Sequence, residues 1–187
     1  MTKYAGIDLS YTSPAIAVWD DNTPHSIKSY HVFNLYEEKR KTKRIDGVYG
    51  VLRIDQIKPY RSQTQRFDLI SDWVLECISG ASNVYIEGYS YGSTGAVFDI
   101  AENCGVLKHK LFKADIPFTL VTPGQHKKAF TGSGAATKIK MIDEYIKRTG
   151  IMWDQIVGLP NRYAKPIDDV VDAVSVLECG LKLEGVI

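Results

Sequence analysis

Little in this chain of 187 residues speaks for a disulfide framework, a zinc centre or a membrane span. Its three cysteines, Cys77, Cys104 and Cys179, are an odd number without a C-x-x-C pair, so all three are expected to be reduced and buried. Its four histidines, His25, His31, His109 and His126, show no zinc-ligand spacing. No apolar run is long enough to cross a bilayer, and the first residues lack a basic region followed by an apolar stretch. The expectation is therefore a cytosolic (cytoplasmic) protein with no membrane partner. An excess of one charge is also missing: 23 Lys and Arg against 22 Asp and Glu leave +1, which is no nucleic-acid signature by itself. Internal repeats, low-complexity segments and Pro-, Gly- or Ser-rich linkers are absent too. Residues 1–187 should form a single domain with a substantial core.

What the chain does have is order. Tyr4 to Asp8 and Ala15 to Trp19 read as two strands joined by a turn at Ser10-Tyr11-Thr12-Ser13-Pro14, and a third strand is expected within Ser26 to Leu35. From there to about Tyr60 the pattern is poor and fits either a loop or another strand. Phe67, Ile70, Val74, Cys77 and Ile78 recur at helical spacing, with Gly80 as a stop. Val84 to Glu87 reads as a short buried strand, followed by a glycine-rich loop over 88–95. Val97, Ile100, Ala101, Cys104, Leu107 and Leu111 then give a second helix one apolar stripe. Phe118 to Val121 is a further strand, read as ending at Pro123-Gly124. Helices are expected over Lys138 to Arg148 and from Pro166 to about Leu183. Antiparallel strands first, then strands alternating with helices, make an α/β order with a mixed sheet.

Four carboxylates stand out against this order. Asp8 and Glu87 each end an apolar strand, a placement that aims an acid at a crevice beyond the sheet edge. Asp169 and Asp172 are i and i+3 on the last helix, and Asp168 is i−4 to Asp172, so the three project from one side of it. The apolar stripe Val170, Val171, Val174, Leu177 and Leu181 is expected to leave them on the opposite side. Acids in a first turn oppose the helix dipole by about 0.3–1 kcal/mol each, which accounts for Asp168 and Asp169 without any site but not for Asp172. Clustered carboxylates repel, and a bound cation relieves them. Hard Mg²⁺ or Mn²⁺ suits all-oxygen ligands, and two such ions about 4 Å apart serve phosphodiester hydrolysis. Basic residues are locally dense in Lys39-Arg40-Lys41-Thr42-Lys43-Arg44, Lys108/Lys110 and Lys127/Lys128, as a basic face near an acidic pocket or simply as solvated surface.

At these residues the chain resembles RuvC-type Holliday junction resolvases of the RNase H-like nuclease superfamily, in a divergent phage-type form. The resemblance lies in Gly6-Ile7-Asp8, Ile86-Glu87, Asp169-Val170-Val171-Asp172-Ala173 and the stretch Lys127 to Lys138, with its Gly132-Ser133-Gly134 turn. It is weakest between Glu37 and Ser62. It implies an RNase H-like α/β fold: a five-stranded mixed sheet, three antiparallel strands first and then parallel ones, flanked by helices. It also implies a homodimer that cuts four-way DNA junctions by paired symmetric nicks, with two Mg²⁺ (or Mn²⁺) ions per active site. By the resemblance Asp8, Glu87, Asp169 and Asp172 are the metal ligands, with Asp168 able to replace Asp169. Lys138 serves catalysis, and Lys127 and Lys138 contact phosphates. Tyr89 or Tyr91 wedges into the junction by stacking, a contact worth about 1–3 kcal/mol per base. The stripe from Val97 to Leu111 is the implied dimer surface, unless it packs on the sheet.

Other readings remain open at this point. Ribonuclease H-like cleavage of RNA–DNA hybrids needs the same fold without a dimer, and a non-catalytic junction-binding relative needs no acids. Gly6-Ile7-Asp8-Leu9-Ser10 also resembles the first phosphate loop of actin-like and Hsp70-like ATPases, but the chain is too short for their two lobes.

Overall fold

The structure is a computed structural model and describes residues 2–37, 47–88 and 97–187. Strands β1 (Lys3–Asp8) and β2 (Ala15–Asp20) pair antiparallel, with Lys3 opposite Asp20 and Asp8 opposite Ala15. After a short 3-10 turn over Ile27–Ser29, β3 (His31–Tyr36) adds antiparallel to β2. The expected early antiparallel strands are present.

The five-stranded expectation is corrected: the described residues form a sheet of seven strands. A hairpin of β4 (Gly47–Tyr49) and β5 (Leu52–Gln56) extends the sheet beyond β3, with β5 parallel to β3. Its pattern is weak in sequence for a physical reason. The outermost strand has three residues, leaves Val48 exposed, and turns through Gly50 at φ +63°, a conformation that glycine adopts without strain.

Helix α1 (Gln63–Cys77) starts where the Ser62 side chain accepts from the Gln65 amide. It leads into β6 (Asn83–Glu87), which pairs parallel to β1. Helix α2 (Val97–Lys113) then crosses to β7 (Phe118–Val121), parallel to β6. The sheet order is β4-β5-β3-β2-β1-β6-β7.

Pro123-Gly124 does not merely end β7. It opens helix α3 (Pro123–Thr131), where Thr122 and Gln125 form a reciprocal capping box and proline occupies the first turn. Helix α4 (Lys138–Thr149) follows, capped by Thr137 and closed by Gly150 in the left-handed conformation. A short α5 (Trp153–Val157) precedes the last helix, α6 (Ile167–Leu183). Among the described residues no helix is long and apolar enough to cross a membrane.

Both faces of the sheet are covered, so its central strands are apolar throughout rather than alternating with polar residues. Ala5, Ile7, Ile16, Val18, Val84 and Ile86 pack on one face with α1 and α2; Ala17, Trp19 and Tyr85 pack on the other with α3, α4 and α6. The stripe implied to be a dimer surface belongs to the first of these cores: Cys104, Leu107 and Leu111 are buried against the sheet and α1. Burying each such side chain contributes about 1.5–3 kcal/mol, which favours the core over an open face.

Helix α6 also departs from expectation. Every residue from Ile167 to Leu181 is buried except Asp172, which is half-buried, because α3 and α4 pack against the side turned away from the sheet. Its aspartates therefore face a cleft within the protein rather than open solvent. Two glycines permit the close approach. A Cβ on Gly6 of β1 would overlap the Leu177 backbone, and one on Gly180 would overlap the Tyr85 ring.

Candidate active site

Strand periodicity decides where the first two acids point. Successive side chains alternate between sheet faces, so Asp8 shares the α6 face with Tyr4 and Gly6, and Glu87 shares it with Tyr85. Ile7 pairs with Ile86 in the parallel register, which leaves Asp8 and Glu87 side by side at the carboxyl ends of their strands. The first turns of α6 reach the same edge. Asp8, Glu87, Asp169 and Asp172 thus line one open cavity of about 490 Å³, with Lys127, Lys138 and Lys165 also in its walls.

The electrostatics are those of carboxylates forced together. Burial, and then the Glu87, Asp169 and Asp172 carboxylates, hold the Asp8 carboxyl well above its ordinary range. Burial and the Glu87 carboxylate push Asp172 up to about 7, against the opposing pull of His126 and Lys138. Asp169 is raised by burial and by Asp168, and is partly relieved by Lys165 and Ser13. Ser13 Oγ donates to Asp169 Oδ2, and Lys165 Nζ donates to the same oxygen at 3.1 Å.

Asp168 stands apart from this group. It is absent from the cavity wall, and its Oδ2 accepts from Lys138 Nζ at 2.5 Å, while its Oδ1 is buried with no hydrogen-bond partner among the described residues. Burial works against the Lys138 ammonium, yet the Asp168 contact raises its pKa above the usual lysine value. Lys127 lines the cavity from α3. Tyr89, Tyr91 and the basic run over 39–44 lie outside the described residues.

Three residues that the sequence reading did not assign take part in the site. Ser13 meets Asp169 from 156 positions away, a separation for which no local pattern gives warning. Lys165 stands four residues before Asp169, a spacing that is visible in the sequence. His126 is completely buried on α3, with Nε2 3.1 Å from Glu87 Oε1 and Nδ1 2.7 Å from Ser175 Oγ. Thr122-Pro123-Gly124-Gln125 is a helix-start signature, and recognising it puts His126 four residues before Phe130 on the inward side of α3.

The donor chemistry fits a hard divalent cation: four carboxylates, all oxygen, crowded enough to repel one another. Among the described residues, however, no three His, Cys, Asp or Glu side chains form a ready-made metal cluster. Ser13, Lys165 and His126 hold individual carboxylates, so ion binding would involve side-chain adjustment within the cavity.

No protein-family model matches the sequence, and no curated protein matches it. Solved structures do match. The chain is similar to the Thermus thermophilus RuvC structure at 20% identity and a TM-score of 0.58, over 98% of this chain and 97% of that one. It is also similar to T. thermophilus RuvC in complex with Holliday junction substrate, at 18% identity and a TM-score of 0.60, over 96% of this chain and 92% of that one. The chain has the fold of these RuvC structures, with a mixed sheet of seven strands among the described residues, flanked by helices.

Proposed function

We propose that this chain is a divalent-metal-dependent endonuclease that resolves four-way DNA junctions. The observation that carries the reading is the meeting of Asp8, Glu87, Asp169 and Asp172, from three separate segments, in one cavity that also holds three lysines. The T. thermophilus RuvC of like fold has a structure in complex with Holliday junction substrate, which makes branched DNA the substrate class to test first.

The four carboxylates would hold Mg²⁺ or Mn²⁺, two ions in the full reading. Bound there, the ions would supply an activated water and charge to stabilise the leaving oxygen of an in-line displacement. The chain's own residues do the rest. Lys127 and Lys165 offer ammonium groups to a phosphate backbone that contributes affinity without sequence information. Lys138 lies at the same wall, steadied by Asp168, and approaches the phosphate next to the cleaved bond. Ser13 fixes Asp169 so that one carboxylate oxygen keeps its direction through the reaction. Tyr89 and Tyr91, close in sequence to Glu87, supply stacking surface at the junction centre.

A four-way junction has two-fold symmetry, and paired nicks call for two sites related by the same symmetry, so the acting species is a homodimer. The test is a side-by-side digestion of labelled four-way, three-way, linear and RNA–DNA hybrid substrates, with Mg²⁺ or with chelator. Symmetric paired nicks in the four-way junction, only with the metal, are expected. Preferred cutting of the hybrid would replace this reading with ribonuclease H-like activity, and saturable junction binding without cutting under any divalent ion would replace it with a non-catalytic role.

A further inference from the structure

We propose that His126 is the positioning residue for Glu87, an inference that rests on the metal-site reading above. Its imidazole is fully buried, yet both ring nitrogens are engaged, by groups on two different elements. Nε2 meets Glu87 Oε1 at the end of β6. Nδ1 meets Ser175 Oγ on α6, and Ser175 Oγ is also 2.8 Å from the carbonyl oxygen of Asp172. The result is a polar tie running from one acid-bearing element through α3 to the other.

Packing alone does not call for a histidine here. His126 shares the buried side of α3 with Phe130 of the apolar core, and a leucine would fill the volume without bringing polar atoms into it. What the ring adds is direction. With a proton on Nε2, His126 donates to Glu87; the one Ser175 hydroxyl proton goes to the Asp172 carbonyl with Nδ1–H donating to Ser175 Oγ, or turns to a bare Nδ1, and in both arrangements neither nitrogen is left unsatisfied. Glu87 is held by its backbone opposite Val121 on β7, but its side chain has one more rotatable bond than those of the three aspartates, so its carboxylate is the least fixed by its own backbone. A donor anchored in the core removes that freedom. A ligating carboxylate held by a hydrogen bond of this kind binds metal more tightly, and losing the partner typically weakens binding about 10- to 100-fold.

The test uses the full-length chain and Mn²⁺ alone, followed by calorimetry and by electron paramagnetic resonance of free Mn²⁺. His126→Gln places an amide N–H where Nε2 stands and is expected to bind Mn²⁺ within about three-fold of the unaltered protein. His126→Asn reaches only the Nδ1 position and should bind about 10- to 100-fold more weakly. In a Glu87→Gln background the Gln and Asn variants should no longer differ. Equal affinity of the two variants in the unaltered background, or an undiminished difference without the Glu87 carboxylate, would overturn the inference while leaving the metal site standing. Failure of the unaltered protein to bind Mn²⁺ at all would overturn the metal reading and this inference together. Should either variant fail to fold, nitrogen NMR of the unaltered protein decides. A proton on Nε2 supports the role, and a ring whose Nε2 is bare overturns it.

Discussion

Helix α6 buries carboxylates at both ends, under opposite terms. Near its C-terminus Glu178 is almost fully buried, and its Oε1 accepts from Arg148 at 2.8 Å and from Lys182 at 2.6 Å. Near its N-terminus Asp169 and Asp172 face Asp8 and Glu87, and among the described residues no Lys or Arg forms an ion pair with Asp8 or Asp172. A buried charge is tolerable when an opposite charge accompanies it. The fold meets that condition at Glu178 and, in part, at Asp169 through Lys165, and among the described residues leaves it unmet by any Lys or Arg at Asp8 and Asp172. One helix therefore carries a paired acid at one end and crowded, mutually repelling acids at the other.

The sharpest way to break this contrast is Asp8→Asn. If the cavity acids hold catalytic cations, junction cleavage should fall about a thousand-fold, equivalent to the several kcal/mol of charge stabilisation that bound metal supplies. Chelated protein should meanwhile melt no lower than the parent, because the substitution removes a repelling charge. A variant that cuts at the parent rate, or that melts well below the parent in chelator, would place Asp8 in the structural class with Glu178.

Acidity gives the next largest effect. Asp172 is raised from its ordinary 3.8 to about 7, and Asp8 and Asp169 are raised as well. The native state therefore keeps protons that the unfolded chain has already released. Where the native state binds more protons, stability falls as pH rises, so the chelated protein should lose a few kcal/mol between about pH 4 and pH 7, the window that Asp172 sets. Thermal melts across this range should show the loss, Mn²⁺ should restore stability at pH 7.5 and above, and Asp172→Asn should flatten the slope. A stability that instead climbs through this window would mean the acids are paired rather than opposed.

Glu178→Gln tests the other half of the comparison. It leaves Arg148 and Lys182 without their shared counter-charge, but both are partly exposed to water, so the expected loss is about 1–3 kcal/mol in chemical denaturation. Junction cutting by the folded variant should be unchanged. A cleavage defect without a stability defect would erase the distinction between the two ends of the helix.

The same contrast marks how far the sequence could be read. Asp8 and Glu87 announce themselves because each terminates an apolar strand, and Asp169 and Asp172 because like charges one turn apart need a reason. The two central parallel strands, both long helices after Glu87 and the closing helix follow from period and punctuation. What escaped has a physical cause in each case. The hairpin's outer strand β4 is an edge element of three residues with an exposed Val48, too short to display alternation beside the five residues of β5. The burial of α6 on all sides is set by α3 and α4, and α3 itself is hidden when Pro123-Gly124 is taken as a terminator rather than a first turn. Missing α3 meant missing His126. Ser13 is a purely tertiary partner, invisible until β1, β2 and α6 are assembled.

The smallest effect separates lysines by what they face. Lys127 lines the cavity without an ion pair among the described residues, whereas Lys182 is committed to Glu178. Each phosphate contact contributes about 0.9 to the slope of log affinity against log salt. Lys127→Ala should therefore lower that slope by about one and weaken junction binding a few-fold, uniformly across DNA sequences. Lys182→Ala should leave slope and affinity as they were and instead lower the melting temperature slightly. Salt-dependent fluorescence anisotropy on both variants measures this directly. Equal slopes would mean that the cavity lysines do not touch the DNA backbone, and the acids beside them would then have to find their cations without a phosphate bridging the two.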